Sequence, residues 1–301
     1  MKKQNNTPII SIIGAGPSGI AAALQLNLFG LKPLIFERNK IGGLLHNAFQ
    51  VNNYPGFKNS INGSRLANNF KKQLLIKNKV IFEDVNQVQF NNNKFNFTTE
   101  NNSYNTDFLI VASGTIAKTN QITEVDEKLI FSEITSLLHK KNRKIAIIGA
   151  GDAAFDYALS LARNNEVSIY NRGTEIKCND WLFKRFKKSK RIVYFENYHL
   201  YKIEKLTNSL LLDFEIENDI IEFSYNYLIF AIGRQSNLFF LQNFEQDEIE
   251  NLIQRNRLQI IGDAANGNMR QTGIAIGDGI KAAMKIFNQI KYDNKSENRQ
   301  I

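Results

Sequence analysis

The chain has one cysteine, three histidines, four prolines and one tryptophan in 301 residues. A single cysteine excludes an intramolecular disulfide framework and any Cys-x-x-Cys redox or zinc site. His46, His139 and His199 are scattered, so a histidine-built centre is disfavoured and no metal is expected. No apolar run reaches the ~20 residues that a membrane-spanning helix requires. The Met1-Lys2-Lys3 start has the charge of a signal n-region. The apolar run behind it, Ile9 to Ile13, is short and enters a glycine turn, so no secretory signal is read. A reducing, cytoplasmic setting is the simplest fit. No nucleic-acid motif is found, and nucleic-acid binding is not expected.

What is present is material for packed cores: 43% of residues are hydrophobic and 22% charged, which argues against disorder. At ~150 residues per domain the length suggests two domains. Lys and Arg number 38 against 29 Asp and Glu, a net +9 that favours acidic or phosphate-bearing ligands without setting the fold.

An internal repeat sets the expected architecture. Residues 9–26 and 144–161 match position by position: an apolar run of strand length, a glycine turn, then an Ala/Leu-rich helix. A second strand follows each helix, Pro33 to Phe36 and Val167 to Tyr170. Each unit then closes on an apolar strand ending in glycine, Phe108 to Gly114 and Tyr227 to Gly233. In between, short alternating segments read as antiparallel β: Lys79 to Phe82, Val85 to Phe90 and Lys94 to Thr98, then Leu210 to Ile216 and Ile220 to Phe223. Leu258 to Asp263 is a further strand and glycine, and a helix is expected from about Gly273 to Tyr292, followed by a frayed tail. The reading is α/β: two Rossmann-like, three-layer ββα dinucleotide-binding domains, the second inserted into the first. The expected boundaries are 1–116 with 240–301 for the outer domain and 117–239 for the inserted one.

Gly14-x-Gly16-x-x-Gly19 opens the first helix at the end of a strand, with Pro17 and Ser18 inside the turn. Such glycines permit a tight turn, close backbone approach to a pyrophosphate, and close packing of helix on strand. The phosphate then lies on the helix N-terminus. Glu37, after the second strand, is placed to accept both ribose hydroxyls. The second copy is Gly149-x-Gly151-x-x-Ala154, with Asp152 and Ala153 opening the helix. Here Asn171 stands where the first copy has Glu37, and Arg172 and Lys177 follow. Losing the acid and gaining cations suits a 2′-phosphate and favours NADPH over NADH; the alternative is that both cations are solvated surface charges.

From about Ile9 to Ile290 the chain resembles the low-molecular-weight thioredoxin reductase family of flavoproteins. The most specific block is Ile41-Gly42-Gly43-Leu44-Leu45 with Val51-Asn52-Asn53-Tyr54-Pro55-Gly56-Phe57, similar to segments that lie along FAD in the family. A second block is Gly262-Asp263 with Arg270-Gln271-Thr272, which in the family meet the ribityl or pyrophosphate region and the isoalloxazine ring. Ala112-Ser113-Gly114 resembles the Ala-Thr-Gly turn behind the flavin. The resemblance implies FAD in the outer domain, NADPH in the inserted one with Gly233 at its edge, and a homodimer. Arg172 and Lys177 fall on family positions for the 2′-phosphate, while Gly173 replaces a neighbouring family arginine.

The departures bear on the reaction. Family members that reduce thioredoxin carry Cys-x-x-Cys before the second fingerprint, whereas this chain reads Ile130-Phe131-Ser132-Glu133-Ile134-Thr135-Ser136-Leu137. A branch resembling bacillithiol disulfide reductases places a cysteine inside the first fingerprint, where this chain has Ser18. The expectation is an FAD-dependent NADPH oxidoreductase whose reduced flavin reacts directly with an external acceptor: a ferredoxin or flavodoxin, a quinone, a small disulfide or a biosynthetic intermediate. The alternative is a redox-sensing flavoprotein without NADPH turnover, compatible with Asn52 in place of the family's glutamate. Two residues are candidates for catalysis. Cys178 has Lys177 and the basic stretch Lys184 to Arg191 nearby to lower its pKa, against a plain half-buried residue. His46 is a candidate proton donor to the flavin, against a structural histidine. The basic run (Lys184, Arg185, Lys187, Lys188, Lys190, Arg191) reads either as a solvated face or as a dock for an acidic electron carrier. The helix-like run Trp181 to Phe186 reads as core by default.

Overall fold

The computed structural model describes residues 7–118, 128–217 and 219–297. Among them are six α-helices: α1 (Pro17–Leu28), α2 (Gly63–Leu75), α3 (Asp152–Leu161), α4 (Asp180–Phe186), α5 (Gln246–Gln254) and α6 (Thr272–Glu297). The chain divides into two compact units. Within the described residues the first unit takes 7–46, 51–116 and 235–297, and the second takes 47–50 and 117–234.

The first unit is built on a parallel sheet in the order Leu258–Ile260, Phe108–Val111, Ile10–Ile13, Leu34–Phe36, Val80–Ile81. Its strands are mostly apolar, apart from the buried Ser11 and Gln259, because both faces are covered. Ile10, Ile12, Phe108 and Ile110 face a core shared with α1 and α6. Ile13, Leu109 and Val111 face the opposite core, shared with α5 and an antiparallel sheet of Val85–Asn91, Lys94–Thr99 and Ser103–Thr106.

The second unit repeats this plan. Its parallel sheet runs Ile192–Phe195, Glu166–Tyr170, Lys144–Ile148, Tyr227–Phe230, Ile130–Phe131. Ile145, Ile147, Val167 and Ile169 pack with α3 and α4. On the other face lies an antiparallel sheet of His199–Lys205, Leu210–Ile216 and Asp219–Tyr225. Tyr170 is the centre of that second core: it stacks on Phe214 at 3.9 Å and on Phe195 at 4.9 Å, and its hydroxyl meets that of Tyr225 at 2.6 Å.

Three sequence expectations change. Val80–Ile81 pairs parallel with Leu34–Phe36 and does not join the antiparallel set. The reason is α2, capped by Asn62 through Arg65 N–H at 3.2 Å, which supplies the crossover that a parallel strand needs. The polar stretch after Asp293 is not frayed up to Glu297, because α6 continues through it. The basic run is not one helix face, since α4 ends at Phe186 and only Lys184 and Arg185 lie on it. The fifth strands, on which the sequence carried no expectation, differ in chain order: Leu258–Ile260 comes last in the first unit, whereas Ile130–Phe131 precedes its own fingerprint in the second.

Candidate dinucleotide-binding sites

In the first unit, Gly14 has φ +101°, and a Cβ there would lie 2.3 Å from the Ala112 carbonyl oxygen. A Cβ on Gly19 would lie 1.9 Å from the Gly14 carbonyl oxygen. Both positions therefore require glycine for close backbone approach. Gly16 differs, because a Cβ there would meet nothing within 4 Å. It is also the N-cap of α1, with no side-chain cap, Pro17 in the first turn and no acid there. The result is an uncapped, positive helix end beside open space, which suits a pyrophosphate.

The other predicted residues of this unit collect around that turn. Glu37 is buried, and its two oxygens accept from Ala15 N–H and Asn39 N–H, each at 2.9 Å. Each oxygen keeps a lone pair for a ribose hydroxyl. Gly42 N–H donates to the Ala15 carbonyl at 2.8 Å, and a Cβ on Gly43 would lie 3.5 Å from Gly16 Cα, so the Gly-Gly segment abuts the fingerprint. Leu44, Leu45 and His46 follow on one short helical turn. Asn53 Nδ2 donates to Gln271 Oε1 at 2.6 Å, which joins two family blocks far apart in sequence. Gly262, at φ +65°, would set a Cβ 2.5 Å from Ser18 Oγ. Asp263 follows it on a short turn, Thr272 opens α6, and Arg270 lies just before that helix. One positioning residue escaped the sequence reading: Asp278 accepts from Gly262 N–H at 3.1 Å and Asn266 Nδ2 at 2.6 Å. A carboxylate inside an apolar-periodic helix was the available signal.

The second unit forms its own turn. Gly149 has φ +128° and would set a Cβ 2.4 Å from the Ala231 carbonyl oxygen. Gly151 caps α3, and Ala154 is fully buried in the third glycine position. Asp152 accepts from Asn179 N–H at 2.7 Å and Asn179 Nδ2 at 3.0 Å. Asn171 is used internally: it donates to the Glu175 carbonyl at 3.0 Å and Tyr194 Oη at 2.9 Å, and accepts from Gly173 N–H at 3.3 Å. It shapes the loop that carries Arg172, which is exposed. Lys177 holds the loop through N–H to the Ala150 carbonyl at 2.9 Å, while its ammonium pairs with Glu175 at 3.2 Å. Glu175 is a nearby acid that the sequence reading did not weigh. Gly233, at φ +112°, lies near the Lys118 side chain.

The two catalytic candidates fare as follows. Cys178 is corrected: its thiol is pushed up to about 11, first by burial and then by Asp152 and Asp180, and the nearby lysines do not lower it. It is therefore poorly suited to act as a thiolate nucleophile near neutral pH. His46 is buried, its Nε2 is 2.9 Å from the Ile41 carbonyl and its Nδ1 3.4 Å from Ser64 Oγ, and burial lowers its pKa. The ring thus links the turn that holds Gly42 and Gly43 to Ser64 on α2. Among the described residues no group of three or more His, Cys, Asp or Glu is placed to hold a metal ion, and no helix is long and apolar enough to cross a membrane.

Two glycine turns at strand–helix junctions, each in a three-layer unit, define a dinucleotide-binding plan, and a family model described as pyridine nucleotide-disulphide oxidoreductase matches residues 48–257. The chain belongs to that family. Among its relatives are a thioredoxin reductase of Buchnera aphidicola, 32% identical over 209 residues, and one of Schizosaccharomyces pombe, 27% identical over 304. The Buchnera match covers 65% of each protein; the S. pombe match covers 91% of this chain and 94% of that one. In fold the chain is similar to the thioredoxin reductase of Lactococcus lactis, with TM-score 0.83 and 21% identity over 95% of this chain and 100% of the other. It is also similar to the bacillithiol disulfide reductase Bdr of Bacillus cereus, with TM-score 0.73 and 18% identity over 93% and 98%. The chain is thus a thioredoxin reductase-like oxidoreductase with two Rossmann-like units, within a family that uses FAD and NADPH.

Proposed function

We propose that this chain is an FAD-dependent NADPH oxidoreductase that passes electrons from reduced flavin directly to an external acceptor. One observation carries the reading: the chain has a single cysteine, so the stretch Ile130 to Leu137, which resembles the dithiol segment of thioredoxin-reducing family members, holds none, and Cys178 is held as a thiol. A dithiol relay has no vehicle here. FAD would lie on the first unit, with its pyrophosphate at Gly14, Gly16 and Gly19, its ribose at Glu37, and its remaining length along Gly43 to Leu45, Asn53, Asp263 and Arg270 to Thr272. NADPH would lie on the second unit at Gly149 to Ala154, with Arg172 and Lys177 at the 2′-phosphate. Bound FAD supplies the hydride acceptor and the onward electron donor. The chain's own residues bind and orient: α1 offers uncapped N–H groups, Glu37 accepts, and Asp278 holds the Gly262 turn.

The acceptor belongs to the classes named from the sequence, with an acidic carrier such as a ferredoxin or flavodoxin favoured by the net +9. A cytoplasmic homodimer is part of the same reading. Support for the dimer is the apolar groove of about 160 Å³ between α1, α2 and α6, lined by Leu24, Leu28, Phe70, Ile276 and Ile280. Anaerobic mixing of the purified protein with NADPH tests the function. The expected result is rapid bleaching of oxidised flavin, recovered on adding acceptor. Failure to take up FAD overturns the reading. FAD bound without bleaching over minutes replaces it with the redox-sensing alternative.

A further inference from the structure

Three parallel strands of the second unit enter its sheet from turns that carry almost only positive charge. Lys140-Lys141-Asn142-Arg143 leads into Lys144–Ile148, Arg163-Asn164-Asn165 into Glu166–Tyr170, and Lys187-Lys188-Ser189-Lys190-Arg191 into Ile192–Phe195. These strands are neighbours in the sheet, and their turns are bonded to one another. Asn142 N–H donates to the Asn164 carbonyl at 2.8 Å, Glu166 N–H to the Arg143 carbonyl at 2.9 Å, and Val167 N–H to the Arg191 carbonyl at 2.9 Å. Arg191 Nη1 donates to the Arg163 carbonyl at 3.3 Å. The buried Asn165 ties the first two turns together: it accepts from Arg143 N–H at 3.1 Å and donates to the Lys140 carbonyl at 3.0 Å. Segments distant in sequence are thus held at one end of one sheet.

With Lys144, the turns bring nine cations together, and the one acid among them is Glu166. All of these cations but the half-buried Lys140 are exposed. Among the described residues none of them is in an ion pair. Neighbouring strand starts lie about 5 Å apart, inside a screening length of about 8 Å, so the charges repel one another and their field adds outward. Neither dinucleotide turn uses this edge. Gly149 and Arg172 follow the opposite ends of the same strands, about 16 Å away along five-residue Lys144–Ile148.

The chemistry favours a flat anionic surface. The strand starts are in register, Lys144 opposite Glu166 and Val167 opposite Ile192, so the turns lie at one level. Six of the nine cations are lysines, hydrated point charges suited to a diffuse negative field, whereas base recognition draws on forked arginine. None of the three turns has an aromatic residue on which a base could stack. Leu138, two residues before Lys140, and Val193, two after Arg191, are exposed apolar side chains next to the cations in sequence, and an interfacial layer accepts such groups. We propose that this cationic edge of the second unit is a docking surface for an anionic lipid bilayer. It holds the protein at the headgroup layer through charge, without a spanning segment.

Cosedimentation of the full-length protein with phosphatidylcholine vesicles, prepared with and without phosphatidylglycerol, tests this. Binding is expected only where phosphatidylglycerol is present, and it should be released as salt rises beyond ~0.15 M. A Lys or Arg near such a surface contributes roughly fivefold to partitioning, so replacing Lys141, Lys188 and Lys190 together by Gln should weaken binding roughly a hundredfold. Replacing Lys71, Lys72 and Lys77 by Gln removes the same charge from the first unit, at exposed positions on α2 and just after it, and should leave most of the binding. Equal losses in the two triple variants would make net charge the cause and overturn the proposal. Equal binding to vesicles without phosphatidylglycerol, or no binding to either kind, overturns it as well. A DNA duplex that strips the protein from the vesicles at equal phosphate concentration overturns it in favour of nucleic acid. None of these readouts needs nucleotide turnover, so their failure leaves the functional reading standing.

Discussion

Arg172 is exposed on a loop shaped by Asn171, with the Lys177 ammonium, paired to Glu175, on the same loop. A forked guanidinium is suited to a phosphate, and one charge-assisted hydrogen bond is worth ~1.5–3 kcal/mol. Arg172→Ala should weaken NADPH roughly ten- to a hundredfold and NADH little, with FAD content unchanged. Flavin-reduction rates with both nucleotides check this, and equal losses would place the phosphate elsewhere. Residue chemistry was partly legible in the sequence. Glu37 and the fingerprint glycines stand out because strand, turn and helix are contiguous there. The thiol of Cys178 was not legible: Lys177 is its neighbour in sequence, while the burial, Asp152 and Asp180 that raise its pKa are set by folding.

At the scale of elements, α1 and α6 pack so closely that a Cβ on Gly279 would lie 2.2 Å from the Ser18 carbonyl oxygen and 2.9 Å from Ala22 N. Both obstacles are backbone, so the helices must separate to admit a methyl group. Gly279→Ala should cost about 1–3 kcal/mol and lower Tm. Gly277→Ala is the control, since a Cβ there meets nothing within 4 Å and helix propensity alone should leave stability equal or raised by about 0.5–1 kcal/mol. Thermal melts of both variants distinguish close packing from propensity. The main strands were readable, because Phe108–Val111 is apolar throughout and Ile10–Ile13 is apolar but for Ser11. Val80–Ile81 was not, because two residues carry no period and its partner was chosen by the α2 crossover.

For the whole molecule, net charge and the missing dithiol make a joint prediction. With NADPH present, thioredoxin should not be reduced above background, while an acidic one-electron carrier should be. The carrier's second-order rate should fall steeply between low salt and ~0.15 M, where the screening length is about 8 Å. A stopped-flow salt series checks both parts. A salt-independent rate would exclude electrostatic docking, and thioredoxin turnover would overturn the expected choice of acceptor.

The sequence by itself determined the family, the two dinucleotide units and the insertion of one within the other's chain, because these rest on contiguous motifs and an internal repeat. Tertiary structure alone decided which distant pieces meet. It set Gly262 against Ser18, Asn53 against Gln271 and Asp278 beneath the Gly262 turn. It also gave Asn47 to Gln50 to the second unit and set the Phe49 N–H on the half-buried Asp156. The physical reason is that burial and long-range hydrogen bonds are properties of the packed chain. A carboxyl such as Asp156 has an ordinary pKa in the unfolded chain and is moved only by the groups that folding brings around it.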